Sequence, residues 1–408
     1  MTRDWRTATL GDLEAESGGT IQTGPFGSQL HASDYSESGT PVVMPTNIVD
    51  LRISPLGIAR TTADHVARLS RHVLRTGDIV YSRRGDVEKC ALVGPAQEGW
   101  LCGTGCLLVR VGGPTVDSRY LAFSLSLPAT RAWISQHAVG ATMPNLNTGV
   151  LREVPVALPP IAEQRAIAAT LGALDDKIDS NRRAVELLGR LTQGHFEAAI
   201  ADGKPDLLPL GDLTEIVKGR SYKSVELQEC GTALVTLKSV DRQGGYKADG
   251  LKPYTGDFKP EQVVRPGELV VAQTDLTQGA EVVGRGVRVP ADPRYDCLVA
   301  SLDLAIVRPK RDMPVEYLAG LLTSESFRQH CRSHVSGTTV LHLAKDAIPT
   351  WRAPVIAPER QAAFAVIARS LMDRMDALNG ESATLSALVD TLLPELISGR
   401  LRVGEVAA

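Results

Sequence analysis

Pro159-Pro160-Ile161-Ala162-Glu163-Gln164 opens the stretch whose reading decides the fold. Behind the two prolines, Ile167, Leu171, Leu174, Ile178, Asn181, Val185 and Leu188 follow at alternating steps of four and three, the spacing of one narrow helical seam. A second copy lies near the end of the chain. From Phe364 onward Leu371, Leu378, Leu385 and Leu392 recur every seven residues, with Ile367, Met375, Leu388 and Leu396 on or beside the complementary positions. Each segment is about forty residues long, so each helix spans roughly 60 Å at 1.5 Å per residue. One amphipathic helix is ordinarily a core element, but two of them, placed after segments of similar size, can bury each other. Asn181 suits a polar seam position, which fixes register at some cost in stability. The pair reads as a spacer.

The 408 residues suffice for two or more domains, each with its own core. With 43% hydrophobic residues and a net charge of −3, the chain reads as a soluble globular protein. No charged-then-apolar leader or apolar run of membrane length stands out, so a cytoplasmic location and no membrane partner are expected. Cys90, Cys102, Cys106, Cys230, Cys297 and Cys331 contain no Cys-x-x-Cys pair and no clustered histidines, so buried free thiols and no metal are expected.

Residues 5–157 show short, mixed periodicities broken by Gly and Pro, the pattern of an α+β domain. Asp78-Ile79-Val80-Tyr81 and Leu107-Leu108-Val109-Arg110-Val111 are strand-like, and Asp117 to His137 is mostly helical. After the first long helix, Ala201 to Asp206 is a polar turn, and a second domain begins near Leu208. Leu10-Gly11-Asp12-Leu13 returns as Leu210-Gly211-Asp212-Leu213, and Arg75-Thr76-Gly77-Asp78-Ile79-Val80 as Arg265-Pro266-Gly267-Glu268-Leu269-Val270. Gly140-Ala141-Thr142 with Leu146 matches Gly337-Thr338-Thr339 with Leu343. The echoes keep their order, so the chain is a tandem duplication. The expected fold is α+β, with two tandem globular domains separated and followed by long helices that pair as an antiparallel coiled coil with internal pseudo-two-fold symmetry. Such a reader suits an extended partner bearing two half-sites.

With these motifs in view, the sequence resembles the specificity subunit of type I restriction-modification enzymes. The resemblance spans nearly the whole chain. It rests on the repeated domain-helix order, on Leu158-Pro159-Pro160 followed by Glu163-Gln164, and on Leu393-Pro394-Glu395-Leu396-Ile397-Ser398-Gly399-Arg400 closing the second helix. Gly24-Pro25-Phe26-Gly27-Ser28-Gln29-Leu30 with Asp34-Tyr35 looks like the family's early target-recognition motif. The second copy departs from the pattern: Ala357-Pro358-Glu359-Arg360-Gln361 replaces the helix start, and nothing after Leu213 reproduces Gly24 to Ser28.

The resemblance implies target-recognition domains at residues 1–158 and 202–353, a first spacer helix at 159–201, and a second spacer helix with the C-terminal tail at 354–408. Each domain would read half of a bipartite, asymmetric DNA site. The helices would dock methyltransferase subunits, in two copies, and a motor-nuclease subunit would join for cleavage in host defence. S-adenosylmethionine, ATP and Mg would then belong to the partner subunits, this chain needing no cofactor and having no catalytic residue.

The residues themselves suggest where DNA is met. Arg52 to Lys89 holds eight Lys/Arg against four Asp/Glu, and Arg83-Arg84-Gly85 follows a predicted strand. Arginines and exposed amides there can meet phosphate, or an arginine can pair with guanine; a solvated loop is the plain alternative. Lys218 to Arg265 holds nine Lys/Arg against six acids, including Lys218, Arg220, Lys223 and Lys238, with Tyr222 among them. Gln273-Thr274-Asp275 takes the place of Arg83-Arg84-Gly85 in the second copy. Gln can contact adenine and Asp can accept from cytosine N4. Gly24, Gly27 and Ser28 suit a tight loop, with Phe26 either reaching a partner or plugging its own core. Thr142, Asn145 and Asn147 either contact phosphate or cap turns. Asn47 and Thr338 complete the candidate DNA contacts.

A catalytic reading finds little support. No Gly-x-x-x-x-Gly-Lys-[Ser/Thr] loop and no [Asn/Asp]-Pro-Pro-aromatic motif is present, and Pro205-Asp206 with Glu215-x-x-Lys218 has one residue too many for a nuclease motif. The rival reading is a non-catalytic tandem protein-interaction module with a coiled-coil spacer, which predicts no strongly salt-dependent DNA binding.

Overall fold

The computed structural model describes residues 5–140, 144–242, 244–277, 279–310 and 313–406. The chain divides into two compact units, Met1–Asp179 with Ser382–Ala408, and Ser180–Glu381.

In the first unit, an antiparallel sheet runs in the order Thr20–Thr23, Cys106–Arg110, Ile79–Ser82, Cys90–Leu92. The strand Cys106-Leu107-Leu108-Val109 is buried on both faces, which is why it reads as a continuous apolar run. Leu107 lies opposite Thr23 on one side and Tyr81 on the other. A second sheet is built from Leu101–Cys102, Thr40–Val43, Ala59–Thr61 and Tyr35–Ser36. The helix Ser118–Ser126 starts at Asp117, whose carboxylate accepts the amides of Arg119 and Tyr120. Its Leu121 and Leu125 join Ile79, Tyr81, Leu107 and Val109 in the core.

Arg6–Thr9 pairs with Pro155–Leu158, the strand that feeds the first long helix, Ile161–Gly203. The Glu-Gln motif explains itself here. Gln164 is buried, accepts the Asp117 amide at 3.0 Å and donates to the carbonyls of Pro159 (2.8 Å) and Thr115 (3.0 Å), so it fastens the helix start to the domain. Tyr120 adds a hydrogen bond to the Ala157 carbonyl at 2.7 Å.

The second unit repeats the plan. Its sheet order is Thr214–Lys218, Leu304–Pro309, Leu269–Ala272, Gly286–Arg288. Thr232–Val235 is flanked by Lys252–Pro253 and, in parallel, by Cys297–Ala300. Asp206–Pro209 pairs with Arg352–Val355 ahead of the second long helix, Pro358–Ile397. Tyr317 donates to the Pro354 carbonyl at 2.7 Å, and the buried Gln361 donates to Ile356 at 2.7 Å.

Each unit contains its own stretch of helix pairing. In the first, Ile167, Ala168 and Leu171 pack with Leu392, Leu393, Leu396 and Ile397. In the second, Phe196 meets Phe364 with ring centroids 5.6 Å apart, and Asn181 donates to Glu381 at 2.8 Å. Within either unit the start of one helix lies with the end of the other, which is antiparallel pairing. Gly320 makes room for Phe196: a Cβ there would stand 2.3 Å from the ring.

The buried phase of the second helix corrects the expected seam. Ile367 and Leu388 are 44% and 42% exposed, while Ala368 is buried and Val389 half-buried. Steps of four and three from Phe364 pass through Ala368, Leu371, Met375, Leu378, Ser382, Leu385, Val389, Leu392 and Leu396. Ile367 and Leu388 each fall one residue short of that phase, about 100° around the helix. In the first helix Ile167, Leu171 and Asn181 are buried, and Leu174, Ile178, Val185 and Leu188 are half-buried.

The closing motif is a helix stop. Gly399 is left-handed (φ 71°), and the Arg400 and Leu401 amides bond back to the Glu395 carbonyl at 3.0 and 3.2 Å. A Cβ on Gly399 would also stand 2.8 Å from the Trp5 ring, so glycine serves both the turn and the packing. Four of the six cysteines are buried; Cys230 is exposed and Cys297 half-buried, which corrects the expectation for those two. Burial pushes the Cys90 and Cys102 thiols up to about 12, so they are packing groups rather than nucleophiles. Among the described residues no helix is long and apolar enough to cross a membrane.

Candidate nucleic-acid interface

In the first unit the strand Ile79–Ser82 runs on into Arg83, whose amide donates to the Gly105 carbonyl (2.8 Å) and whose carbonyl accepts from Leu146 (2.9 Å). Arg84 bridges antiparallel to Asn145, which in turn exchanges backbone hydrogen bonds with Val139 (2.9 and 3.1 Å). Backbone pairing thus brings Arg83, Arg84 and Asn145 together from segments some sixty residues apart. Arg84 is exposed and Arg83 half-buried, with the guanidinium 5.8 Å from the centre of the Phe26 ring. Neither arginine has a carboxylate partner among the described residues. The Nε of Arg83 and Oδ1 of Asn145 are shielded from solvent with no hydrogen-bond partner among the described residues. Such groups want a partner.

Other basic residues of this region are engaged internally. Arg52 pairs with Asp175 (2.6 Å) and Asp179 (3.4 Å), Arg68 donates to the Gln29 carbonyl, and Lys89 pairs with Asp86. Among the basic residues of this region, Arg83 and Arg84 are the pair that backbone bonding places beside Asn145.

The Gly24–Ser28 loop divides in two. Gly24 is buried, with its amide on the Cys106 carbonyl, and a Cβ there would stand 2.1 Å from the Gly103 oxygen. It is a close-approach glycine rather than a contact for DNA, which corrects that expectation. Phe26 is 54% exposed, so it does not plug the core, and Gly27 and Ser28 are exposed beside it. Gln29 holds the loop, accepting the Phe26 amide at 3.0 Å. Asn47 is also corrected: it is buried, accepts the Met44 amide and donates to the carbonyls of Ser54 and Leu56. Its amide is spent on a turn. Asn147 caps the short helix Thr148–Arg152, accepting from Val150, and Thr142 lies outside the described residues.

The second unit supplies a counterpart to the glycine loop that its sequence conceals. The Gly219 amide donates to the Leu304 carbonyl, and a Cβ on Gly219 would stand 2.0 Å from the Ser301 oxygen. Gly219 to Lys223 therefore occupies the place of Gly24 to Ser28. Lys218, Lys223 and Lys238 are exposed, and Arg220 is half-buried. Tyr222 is gripped by Lys252, a residue not singled out from the sequence, with Nζ 3.3 Å from the phenol oxygen and 5.4 Å from the ring centre.

Gln273 donates its amide to Asp303 (2.7 Å) and accepts from Leu343 (2.8 Å), as Arg83 does with Gly105 and Leu146. Thr274 Oγ1 donates to Asp303 Oδ1 at 2.9 Å. Asp275 is no base reader. It is buried and accepts from the amides of Thr277, Val282 and Val283 and from the Thr277 hydroxyl. Burial pushes its carboxyl upward, but these hydrogen bonds outweigh that and hold it below the usual carboxylate range. The loop so tied leaves Leu276 72% exposed. Thr338 is exposed in the turn between the strands Val335–Ser336 and Leu341–Leu343.

Residues 3–188 match the type I restriction modification DNA specificity domain. The type I restriction enzyme MjaVIII specificity subunit of Methanocaldococcus jannaschii is 21% identical over 312 residues, 71% of either chain. The putative type I restriction enzyme MjaX specificity subunit of the same organism is 20% identical over 99% of this chain and 95% of its own. The crystal structure of a type I restriction-modification S subunit from M. genitalium covers 96% of both chains with a TM-score of 0.57 and 16% identity, a likeness of fold. Over residues 3–188 the chain matches this specificity-domain family, and over most of its length it is similar to type I restriction enzyme specificity subunits. Such subunits are non-catalytic, bind DNA, and work in complexes with methyltransferase and restriction subunits.

Proposed function

We propose that this chain selects a bipartite, asymmetric DNA sequence, residues 1–158 reading one half and residues 202–353 the other. The helices at 159–201 and 354–408 would set the distance between the halves and dock two methyltransferase subunits, with a motor-nuclease subunit joining for cleavage in the cytoplasm. S-adenosylmethionine, ATP and Mg are assigned to those partners.

One observation carries this reading. Each unit has, at the same place in its sheet, a strand end that runs on into exposed or half-exposed polar side chains and is bonded to a returning segment: Arg83 and Arg84 with Asn145, and Gln273 and Thr274 with Leu341–Leu343. The two sets have different chemistry, as two unlike half-sites require. Phe26, Gly27, Ser28, Lys218, Arg220, Tyr222, Lys223, Lys238 and Thr338 are proposed to lie around them, meeting phosphate or sugar and fixing register.

The test is methylation mapping. The chain is expressed with its methyltransferase subunit in an unmethylated host, and modified adenines are located genome-wide. A two-part motif with a fixed gap, lost when this chain is omitted, is expected. An assembled, active complex that yields no such motif sinks the reading. Inserting one heptad in both helices should change the preferred gap; an unchanged gap removes the helices from the role of ruler.

A further inference from the structure

The geometry points to His342 as a base-reading residue of the second domain, acting across a β-ribbon from Thr274; this rests on the DNA reading proposed above. Thr274–Asp275 pairs antiparallel with Leu341–Leu343, and Thr274 stands directly opposite His342. Directly opposed residues of an antiparallel pair project from the same face. Leu343 and Ala347 join the core below, whereas His342 is exposed. The strand therefore alternates, with its histidine outward.

The first unit places Asn145 at the equivalent point. Arg84 opposes Asn145 as Thr274 opposes His342, and the Leu146 amide bonds to Arg83 as the Leu343 amide bonds to Gln273. Asn145 has a shielded side-chain oxygen without a partner among the described residues, so the first copy of this position already asks for a ligand with a donor. No hydrogen bond within the unit engages the His342 ring among the described residues.

The ribbon is held more firmly than a loop. Val335–Ser336 pairs with the far edge of Leu341–Leu343, Thr274 is tied to Asp303 at 2.9 Å, and Asp275 is locked by four hydrogen bonds. A ribbon of this kind fits the major groove of duplex DNA, and a rigid support is what base discrimination needs. The imidazole offers one donor and one acceptor when neutral, so it can pair with the N7 or O6 of guanine or accept from the amino group of adenine or cytosine. The ligand assigned to His342 is a base-pair edge in one half of the bipartite site.

The experiment is selection from a pool of randomised duplexes by the full chain assembled with its methyltransferase subunits, comparing wild type with His342→Ala and His342→Asn. His342→Ala should cost about tenfold in discrimination at one base pair of one half-site and leave the other half unchanged. His342→Asn should alter the base preferred at that same pair. Uniformly weaker recovery with every preference kept would make His342 a phosphate contact and overturn the inference, as would an unchanged motif in both variants. If the wild type itself selects no bipartite motif, the DNA reading falls and this inference with it.

Discussion

Tyr120, Gln164 and Gly24 do in the first unit what Tyr317, Gln361 and Gly219 do in the second, whereas the exposed or half-buried positions held by Arg83, Arg84 and Asn145 in the first are held by Gln273, Thr274 and His342 in the second. The contrast separates two kinds of constraint. A phenol bonded to the strand before a helix, an amide that fastens a helix start, and a glycine with a carbonyl where its Cβ would be are fixed by backbone geometry. The ribbon positions are held by backbone bonds that do not depend on residue type, so their side chains can differ between the two copies. A duplicated chain can thus keep one scaffold and present two different sets of polar side chains.

The largest expected effect breaks the scaffold side of this comparison in one unit alone. Phe196 packs against Phe364 and Tyr317 with centroid separations of 5.6 and 5.5 Å. Phe196→Ala should cost about 3–5 kcal/mol. Hydrogen exchange should show lost protection in Ser180–Glu381 and little change in the first unit; equal losses in both would mean that the units do not hold separate cores.

A smaller effect sharpens the comparison between the two glutamines. Gln164 joins three backbone groups, and Gln361 donates to one. Gln164→Ala leaves a part-buried amide and two carbonyls without their partner, at about 1–3 kcal/mol, and Gln361→Ala should cost about 1 kcal/mol. Chemical denaturation of the two variants compares them, and a Gln361→Ala loss equal to or larger than that of Gln164→Ala would contradict this account.

The same contrast explains what could be read from sequence. The long helices and the repeat were legible because apolar periodicity marks the helices and the echoes Leu10–Leu13 with Leu210–Leu213, Arg75–Val80 with Arg265–Val270, and Gly140 with Gly337 keep their order in both halves. Counting leucines every seven residues still misplaced Ile367 and Leu388, because the complementary phase is carried by Ala368, Ser382 and Val389, which are small or weakly apolar. Asn47 and Asp275 have the side chains of base readers, but their burial depends on which amides surround them, and residue type does not carry that. Gly219 was hidden because only the glycine is kept from Gly24-Pro25-Phe26. His342 was within reach: the offset that joins Leu146 to Leu343 also joins Asn145 to His342, yet attention to the strand ends passes over the segment that returns beside them.

Asp275 gives the second unit an acid dependence at a position where the first has Gly85. Its folded carboxyl lies below the usual range, so the stabilisation is complete above the ordinary carboxylate value of about 4 and is lost as pH falls through the lower folded value. Asp275→Asn should cost about 1–2 kcal/mol near neutral pH and flatten this acid dependence. Limited proteolysis around Leu276 at a series of pH values follows it; the same acid profile in wild type and Asp275→Asn would assign the effect to other groups.

The smallest expected effect lies where the two units use opposite charges for one task. Arg119 reaches the first long helix, bonding to the Gly172 carbonyl at 3.0 Å and to Asp176 at 2.6 Å, while at the matching place Glu316 receives Arg369 from the second helix at 2.7 Å. Gly172 permits the approach, since a Cβ there would stand 2.5 Å from the guanidinium carbon. The Arg119–Asp176 pair is substantially exposed, so solvent screens it and its coupling should be only about 0.5 kcal/mol. A double-mutant cycle with Arg119→Ala and Asp176→Ala measures that term without the Gly172 bond, which Arg119→Ala removes in both backgrounds. A coupling that shrinks toward zero in high salt is expected, because screening acts on the ion pair and leaves the carbonyl bond. A large, salt-independent coupling would mean that the arginine and aspartate act as one packed unit, and that the reversal of charge between the two copies is a constraint on which domain seats on which helix.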